Sequence, residues 1–164
     1  MQSLSFSGEM LARGFWLYVW EVTAEDGRKF LYVGRTGDSS SPYAQSPYNR
    51  MGQHLGVSNK ATNMLRSNLL KKDVDPNRCK SFEMVAYGPI LPEGRNMEEH
   101  TPKRNKIAAM ERELCSALCA SGYAVLNSVS CKHPLPKAHW KEVLAAFSER
   151  FTKLKPRTRK TEQR

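Results

Sequence analysis

Three local features of the sequence contain side chains that could perform acid–base or phosphate chemistry. Tyr18 and Tyr32 lie in two neighbouring segments that are rich in β-branched and aromatic residues. Arg50 and His54 are four positions apart, a spacing that places both on one face of a helix. Glu111 falls within the apolar stripe of a later helical segment. Together these groups could bind phosphate and move a proton, provided that the fold brings them to one place.

The two segments that carry the tyrosines predict a β-hairpin. Residues 15–23 and 29–34 have the composition of buried strands. Between them, Glu25-Asp26-Gly27 fits a three-residue loop with its glycine in the left-handed bulge position. A two-residue Asp-Gly turn is the alternative, and it would shift the pairing register by one residue.

The type of turn decides whether the two tyrosines can act together. A three-residue loop pairs Tyr18 with Gly34 and Tyr32 with Trp20. Because side chains alternate along a strand, both tyrosines then project from the same face of the sheet. The two-residue turn would place them on opposite faces. We expect the three-residue loop, and hence a shared face.

Capping residues and apolar periodicity predict the remaining elements. Ser46-Pro47 begins a helix that carries Arg50 and His54 and ends near Gly56. The other predicted segments are a helix at about 59–72 with Met64, Leu65 and Leu69 inward, a strand at 80–87, a long loop at 88–106, a helix at 107–121, an extended segment at 123–129 and an amphipathic helix at 136–154. The inward residues of the last two helices are Ile107, Met110, Leu114 and Leu118, and Trp140, Val143, Leu144, Phe147 and Phe151.

These elements predict a mixed α/β protein of the α+β type. A small, three-stranded, mainly antiparallel sheet is flanked by helices, and the amphipathic helix at 136–154 is an addition at the carboxyl end. Residues 1–154 are expected to form a single domain, with the motif-bearing core at 15–129. The basic segment 155–164 is predicted to be a disordered tail.

The charge balance indicates a polyanionic partner. The 164 residues include 26 Lys and Arg against 16 Asp and Glu, a formal net charge of +10. A basic domain of this kind attracts nucleic acid more often than any other polyanion. No apolar run approaches the ~18–20 residues that span a membrane, and no secretory signal is evident. We therefore expect a soluble cytoplasmic protein with reduced cysteines.

In order along the chain, the candidate residues resemble the motifs of the GIY-YIG nuclease family. The segments that carry the resemblance are Trp16-Leu17-Tyr18, Tyr32-Val33-Gly34 with the following Arg35-Thr36-Gly37-Asp38, the Arg-x-x-x-His helix Arg50-Met51-Gly52-Gln53-His54, the segment Ala108–Leu114 around Glu111, and Val125-Leu126-Asn127. The match covers roughly residues 15–129, and several motifs in the family's order are more specific than one. Trp16 stands where the first motif has glycine, and the loop at 88–106 resembles an insertion.

The resemblance implies a divalent-metal-dependent endonuclease that hydrolyses phosphodiester bonds in DNA. It implies that Glu111 holds Mg²⁺ or Mn²⁺, with Glu113 as a second choice of ligand. Arg50 would stabilise the transition state, and Tyr18 would be the general base. His54 stays open as the alternative base, because its ordinary pKa of about 6.5 suits proton transfer near neutrality. To Tyr32 and Asn127 the resemblance assigns positioning roles.

Basic residues outside this set are expected to contact the DNA backbone without reading its sequence. The candidates are Arg35, Lys71, Lys72, Lys103, Arg104 and Lys106. The loop at 88–106 is a candidate specificity element. A duplex cutter must make two strand breaks, which is consistent with a homodimer or a higher homo-oligomer.

Two other functions fit parts of the sequence. Cys115, Cys119, Cys131 and His133 could hold zinc in a nucleic-acid-binding module without catalysis, although Cys-x₃-Cys is not the usual zinc spacing. A regulatory or inhibitory protein that has lost nuclease activity is the third possibility. The presence of the complete Tyr, Tyr, Arg, His and Glu set argues against it.

Overall fold

The predicted hairpin forms with the predicted register. The computed structural model describes residues 1–37, 41–57 and 64–154. In it, β1 (Phe15–Thr23) pairs antiparallel with β2 (Lys29–Arg35), and Tyr18 lies opposite Gly34. Gly27 adopts a φ of 88°, and its N–H donates to the Ala24 carbonyl at 3.0 Å. The three-residue loop with a left-handed glycine is therefore confirmed.

A third strand, β3 (Ser81–Leu91), pairs antiparallel with the other side of β1, giving the strand order β2-β1-β3. The predicted strand ended at residue 87, so the expectation of a loop from 88 onward is wrong at its start. The pairing register shifts between Phe15 and Leu17, opposite Gly88-Pro89. Proline lacks an N–H but is tolerated on an edge strand and at a bulge, which is why this strand continues past it.

The remainder of the predicted loop is helical. α3 (Met97–Ala120) begins well before the predicted start at Ile107. Asn96 caps it, with its side chain accepting a hydrogen bond from the Glu99 N–H at 2.9 Å. Pro102 lies inside the helix near its amino end. The segment 88–106 was predicted to be a loop from its Gly, Pro and charged residues, whereas Pro102 is accommodated in the second turn of the helix, where it removes one backbone N–H.

Two shorter helices, α1 (Pro47–Leu55) and α2 (Met64–Leu70), lie between β2 and β3 in the chain. The Ser46 side chain caps α1 as predicted, accepting from the Asn49 N–H at 3.3 Å. In α2, Leu65 and Leu69 are buried as predicted, but Met64 is 45% exposed. The two leucines are four residues apart and define the inward face, and Met64 points about 100° away from Leu65.

The sheet has a helical layer on each face, because alternate residues of its strands point in opposite directions. One face packs against α3 and α4 (Lys137–Arg150), and the other packs against α1 and α2. The buried residues of the first layer include Phe15, Leu17, Val19, Ile107, Met110, Leu114, Val143 and Phe147, and those of the second include Tyr18, Trp20, Tyr32, Leu65 and Leu69. The predicted α+β class and the predicted inward residues of the last two helices are confirmed, but α4 ends at Arg150 rather than at the predicted residue 154, and Phe151 packs inward just after its end.

The extended segment after α3 lies beside β2. Val125 forms an isolated parallel bridge with Leu31, and the Leu126 N–H donates to the Leu31 carbonyl at 2.7 Å. Residues 155–164, the predicted tail, lie outside the described residues. Within the described part of the chain, none of the helices has the length and apolar character needed to cross a membrane.

Candidate active site

A cavity of about 280 Å³ opens at the carboxyl end of β2. It lies where the hairpin, α1 and α3 approach one another. The described residues that line it are Tyr18, Tyr32, Gly34, Arg35, Gly37, Arg50, His54, Arg104 and Glu111. Five of the six residues predicted to be catalytic are in this set, although they come from separate parts of the sequence.

Tyr18, Tyr32 and His54 form one contact group at the base of the cavity. The Tyr18 hydroxyl and His54 Nε2 are 2.6 Å apart and share a hydrogen bond. The His54 ring also meets the Tyr32 ring edge-on, with centroids 5.0 Å apart. The two tyrosines therefore lie on the same face of the sheet, as the hairpin register predicts.

The Tyr18 hydroxyl has three neighbours. It donates to the Arg35 carbonyl at 3.3 Å, and Arg50 Nε donates to it at 3.4 Å. The Tyr18 side chain has no exposed surface. Burial raises the pKa of Tyr18, and the Arg50 guanidinium opposes that rise. In the free protein Tyr18 is consequently a neutral phenol at physiological pH.

The environment of His54 determines where its proton lies. The residue is 2% exposed, and its Nδ1 atom is buried without a hydrogen-bond partner. Burial, followed by the nearby Arg50 charge, lowers the pKa of His54 to about 4, so the ring is neutral at pH 7. Because an unpaired buried N–H is costly, we assign the single proton to Nε2, which donates it to Tyr18.

Glu111 forms a largely buried ion pair with Arg35. Arg35 Nε and Glu111 Oε2 are 2.9 Å apart, and the side chains are 22% and 15% exposed, respectively. A second guanidinium nitrogen of Arg35 donates to the Gly37 carbonyl at 2.6 Å. Burial raises the pKa of Glu111, and Arg35 opposes the rise. Arg35, predicted as a nucleic-acid contact, thus makes its main contact with the predicted metal ligand.

Gln53 is a site residue that the sequence analysis missed. Its Oε1 accepts a hydrogen bond from Arg50, and its amide nitrogen donates to Gln45 Oε1 at 2.9 Å. The Gln45–Gln53 pair therefore holds the Arg50 side chain beside Tyr18. The i, i+3 spacing between Arg50 and Gln53 on a helix was the local signal available for this contact.

Asn127 lies outside the residues that line the cavity. Its amide oxygen accepts from the Val33 N–H at 3.0 Å, and its amide nitrogen donates to the Val33 carbonyl at 2.8 Å. Both hydrogen-bonding groups of the amide are thereby used on the backbone of β2. Asn127 therefore holds the segment after α3 against the strand that carries Tyr32.

The predicted basic contacts divide into two groups. Arg104 lines the cavity, together with Arg35. Lys71, Lys72 and Lys106 are exposed, and Lys103 Nζ donates to the Glu93 carbonyl at 3.4 Å. None of these four lysines is among the residues that line the cavity. The same holds for Glu113, the second choice of metal ligand.

Comparison of the chain with known protein families, curated proteins and solved structures found no match. The functional assignment therefore depends on the geometry of the site.

The predicted metal must be tested against this geometry. No group of three or more His, Cys, Asp and Glu side chains in residues 1–37, 41–57 and 64–154 is arranged to hold a metal ion. Glu111 is the single carboxylate among the described lining residues, and its Oε1 makes no hydrogen bond within them. Mg²⁺ accepts such a site, because it commonly takes one or two carboxylates and completes its shell with water and phosphate oxygens.

The predicted zinc set does not come together as a metal-holding group. Cys115 is buried and its thiol donates to the Asn127 carbonyl at 3.2 Å, whereas Cys119 is exposed. Burial raises the pKa of the Cys115 thiol to about 11, which opposes formation of the thiolate that binds zinc. The donor chemistry and the arrangement therefore suit a hard cation at Glu111 better than zinc at these cysteines.

Proposed function

We propose that this protein is a divalent-metal-dependent endonuclease that hydrolyses phosphodiester bonds in DNA. The observation that carries the proposal is the convergence of Tyr18, Tyr32, Arg50, His54 and Glu111 around one cavity. The same residues, in the same order, carry the resemblance to the GIY-YIG nucleases. A set of solvated surface residues or unrelated core residues would have no reason to meet in this way.

The charge of the cavity suits a phosphodiester. Arg35, Arg50 and Arg104 line it together with the single described carboxylate, Glu111. Guanidinium groups bind nonbridging phosphate oxygens through parallel hydrogen bonds. The formal net charge of +10 would also raise the local concentration of a polyanion and speed its association.

The geometry favours Tyr18 over His54 as the general base. His54 Nε2 is already engaged with Tyr18, and the His54 pKa of about 4 makes it a weak base. Tyr18 receives hydrogen bonds from His54 Nε2 and Arg50 Nε, and both donors would stabilise its phenolate. His54 then acts as a positioning residue for the base.

The reaction follows from these assignments. The Tyr18 phenolate removes a proton from water, the water oxygen forms a bond to phosphorus, and the ester P–O bond on the opposite side breaks. Arg50 binds the nonbridging oxygens as their charge grows. A cation held by Glu111 would neutralise charge on the phosphate and on the leaving oxygen. Tyr32 contacts the His54 ring and keeps it oriented towards Tyr18.

DNA cleavage by two matched variants tests the proposal. Supercoiled plasmid is incubated with Mg²⁺ or Mn²⁺ and with wild type, Glu111→Gln or Glu113→Gln. The two glutamates lie on the same helix, but only Glu111 lines the cavity. We expect wild type and Glu113→Gln to cut and Glu111→Gln to lose activity by about 100-fold or more.

Two results of the cleavage assay would contradict the proposed function. Cleavage that survives chelation of the divalent metal, or that is unaffected by Glu111→Gln, would remove the metal role. Absence of cleavage of plasmid, linear and single-stranded DNA in every divalent metal would remove the nuclease assignment. We propose a cytoplasmic location for the enzyme and DNA as its partner. Sedimentation during cleavage would determine whether it acts as a homodimer.

A further inference from the structure

The carboxylate that would hold the cation already has a positively charged partner within the protein. Arg35 Nε lies 2.9 Å from Glu111 Oε2, and both side chains are largely buried. No other ion pair of Glu111 occurs among the described residues. Arg35 occupies Oε2, and a divalent cation on the same carboxylate would bring two positive charges close together in a largely buried place. Because these charges repel each other, the guanidinium and the cation compete for Glu111.

Arg35 is held in this position from two sides. Its guanidinium donates to the Gly37 carbonyl at 2.6 Å as well as to Glu111. Its backbone carbonyl accepts a hydrogen bond from the Tyr18 hydroxyl at 3.3 Å. One residue therefore contacts both the proposed base and the proposed metal ligand while the cavity is free.

The energetic reason for the pair is the burial of Glu111. An ionised carboxylate with 15% exposure is costly to leave without a partner, because it has lost most of its hydration. Arg35 offsets this cost in the free protein. A cation that enters the cavity would also offset the cost of burying the Glu111 carboxylate.

We propose that Arg35 is an internal counter-ion that occupies the cation position at Glu111 in the free protein, and that a divalent cation binds Glu111 by displacing the Arg35 guanidinium. This proposal rests on the nuclease function proposed above. It makes the free cavity a resting state with weakened metal affinity, because only the fraction of molecules with an unpaired Glu111 is competent to bind. The displaced guanidinium becomes available for a phosphate oxygen, which links metal binding to substrate binding.

Metal binding to the full-length protein without DNA tests this proposal independently of activity. Mn²⁺ is titrated calorimetrically into wild type, Arg35→Met, Arg104→Met and Glu111→Gln. Arg104 lines the same cavity without an ion pair to Glu111 among the described residues, so its variant controls for the loss of one positive charge. We expect Arg35→Met to bind Mn²⁺ at least ~10-fold more tightly than wild type, Arg104→Met to differ by no more than about threefold, and Glu111→Gln to lose the site.

A second variant covers the case in which Arg35→Met folds poorly without metal. Arg35→Gln keeps a hydrogen-bond donor beside Glu111 but removes the charge, so it disturbs the cavity less. It should also bind Mn²⁺ more tightly than wild type. In both variants, added Mn²⁺ should raise the melting temperature more than it does in wild type, because the cation then neutralises a carboxylate that has no other partner.

The outcomes separate this proposal from the proposed function. If Mn²⁺ binds wild type through Glu111 but both Arg35 variants bind it equally or more weakly, the counter-ion proposal fails and the nuclease proposal stands. If neither wild type nor the Arg35 variants bind Mn²⁺, the counter-ion proposal fails, and the plasmid-cleavage test decides the nuclease proposal separately. Tight binding that persists in Glu111→Gln would overturn the assignment of the metal ligand and with it the competition.

Discussion

The ring of Tyr18 lies across the backbone of Gly34, its cross-strand partner in the hairpin. A Cβ atom at position 34 would stand 2.4 Å from Tyr18 Cε2 and 2.7 Å from the Tyr18 hydroxyl oxygen. Nonbonded carbon atoms do not approach so closely, since their optimal separation is about 3.5–4.0 Å. Glycine at 34 therefore leaves the space through which the phenol reaches His54.

Gly34→Ala should accordingly displace the Tyr18 ring and reduce cleavage by about 100-fold, because a misplacement of about 1 Å at a reacting group has this effect. Gly52→Ala is the matched control. Gly52 lies in α1, where an added Cβ meets nothing within 4 Å, and alanine there should stabilise the helix by about 0.5–1 kcal/mol. Cleavage rates and denaturant unfolding of both variants check the prediction. Full activity in Gly34→Ala would show that the position of Tyr18 is not important.

The pH dependence of cleavage distinguishes the two candidate bases. The pKa of Tyr18 is raised by burial, so the phenolate fraction, and the rate with it, should increase about tenfold per pH unit up to alkaline pH. If His54 were the base, its pKa of about 4 would give a rate that rises only near pH 4 and is flat from pH 6 upward. Single-turnover cleavage rates measured between pH 5 and 9.5 distinguish the two candidate bases. The Tyr18→Phe variant should lose the increase in rate at alkaline pH.

The buried, neutral His54 should make folding stability depend on pH. Its folded-state pKa of about 4 lies below its ordinary value of 6.5, so the unfolded chain binds the proton first as the pH falls. The His54 contribution should be fully present above pH 6.5 and decline as the pH falls to about 4, by an amount on the order of 3 kcal/mol.

The difference between wild type and His54→Gln isolates this contribution, because every other residue is the same in both proteins. Urea unfolding at pH 7.5, 5.5 and 4 provides the measurement. The advantage of wild type over the variant should shrink as the pH falls. A difference that stays constant across the three pH values would mean that His54 is protonated normally in the folded protein.

Asn127→Ala should lower stability more than it lowers the chemical rate. The substitution removes two hydrogen bonds to Val33, a residue with no exposed surface, and should cost about 2–3 kcal/mol. At temperatures where the variant stays folded, its kcat should remain close to that of wild type. Ser128→Ala, an exposed neighbour, is the control for both measurements. A large loss of kcat in a fully folded Asn127→Ala protein would place the Asn127 amide in the reaction itself.

The features that could be predicted from the sequence depend on neighbours along the chain. The turn at Gly27 determines the hairpin register, and that register places Tyr18 and Tyr32 on one face. The cap at Ser46 starts the helix on which Arg50 and His54 share a side. Apolar spacing likewise identified the inward faces of α3 and α4. Each of these signals acts over a few residues, so it can be read without knowing the fold.

The features that the sequence analysis missed contain residues that usually indicate a loop but lie within regular secondary structure here. Gly88-Pro89 and Pro102 were interpreted as loop residues. In the structure, Gly88-Pro89 lies at the register shift of the edge strand β3, and Pro102 lies near the start of α3. Proline removes one N–H in any setting, and only the tertiary structure shows whether that N–H was needed.

By itself, the sequence determined the identities of the reactive groups and the local faces on which they lie. The tertiary structure alone decided their partners: Arg35 meets Glu111 across 76 residues, and Asn127 meets Val33 across 94. Such contacts depend on the packing of α3 against β2, and no periodicity along the chain encodes them. That packing places Arg35, a predicted DNA contact, in an ion pair with Glu111, the predicted metal ligand. It also places the Asn127 amide, for which a positioning role was predicted, on the backbone of the strand that carries Tyr32.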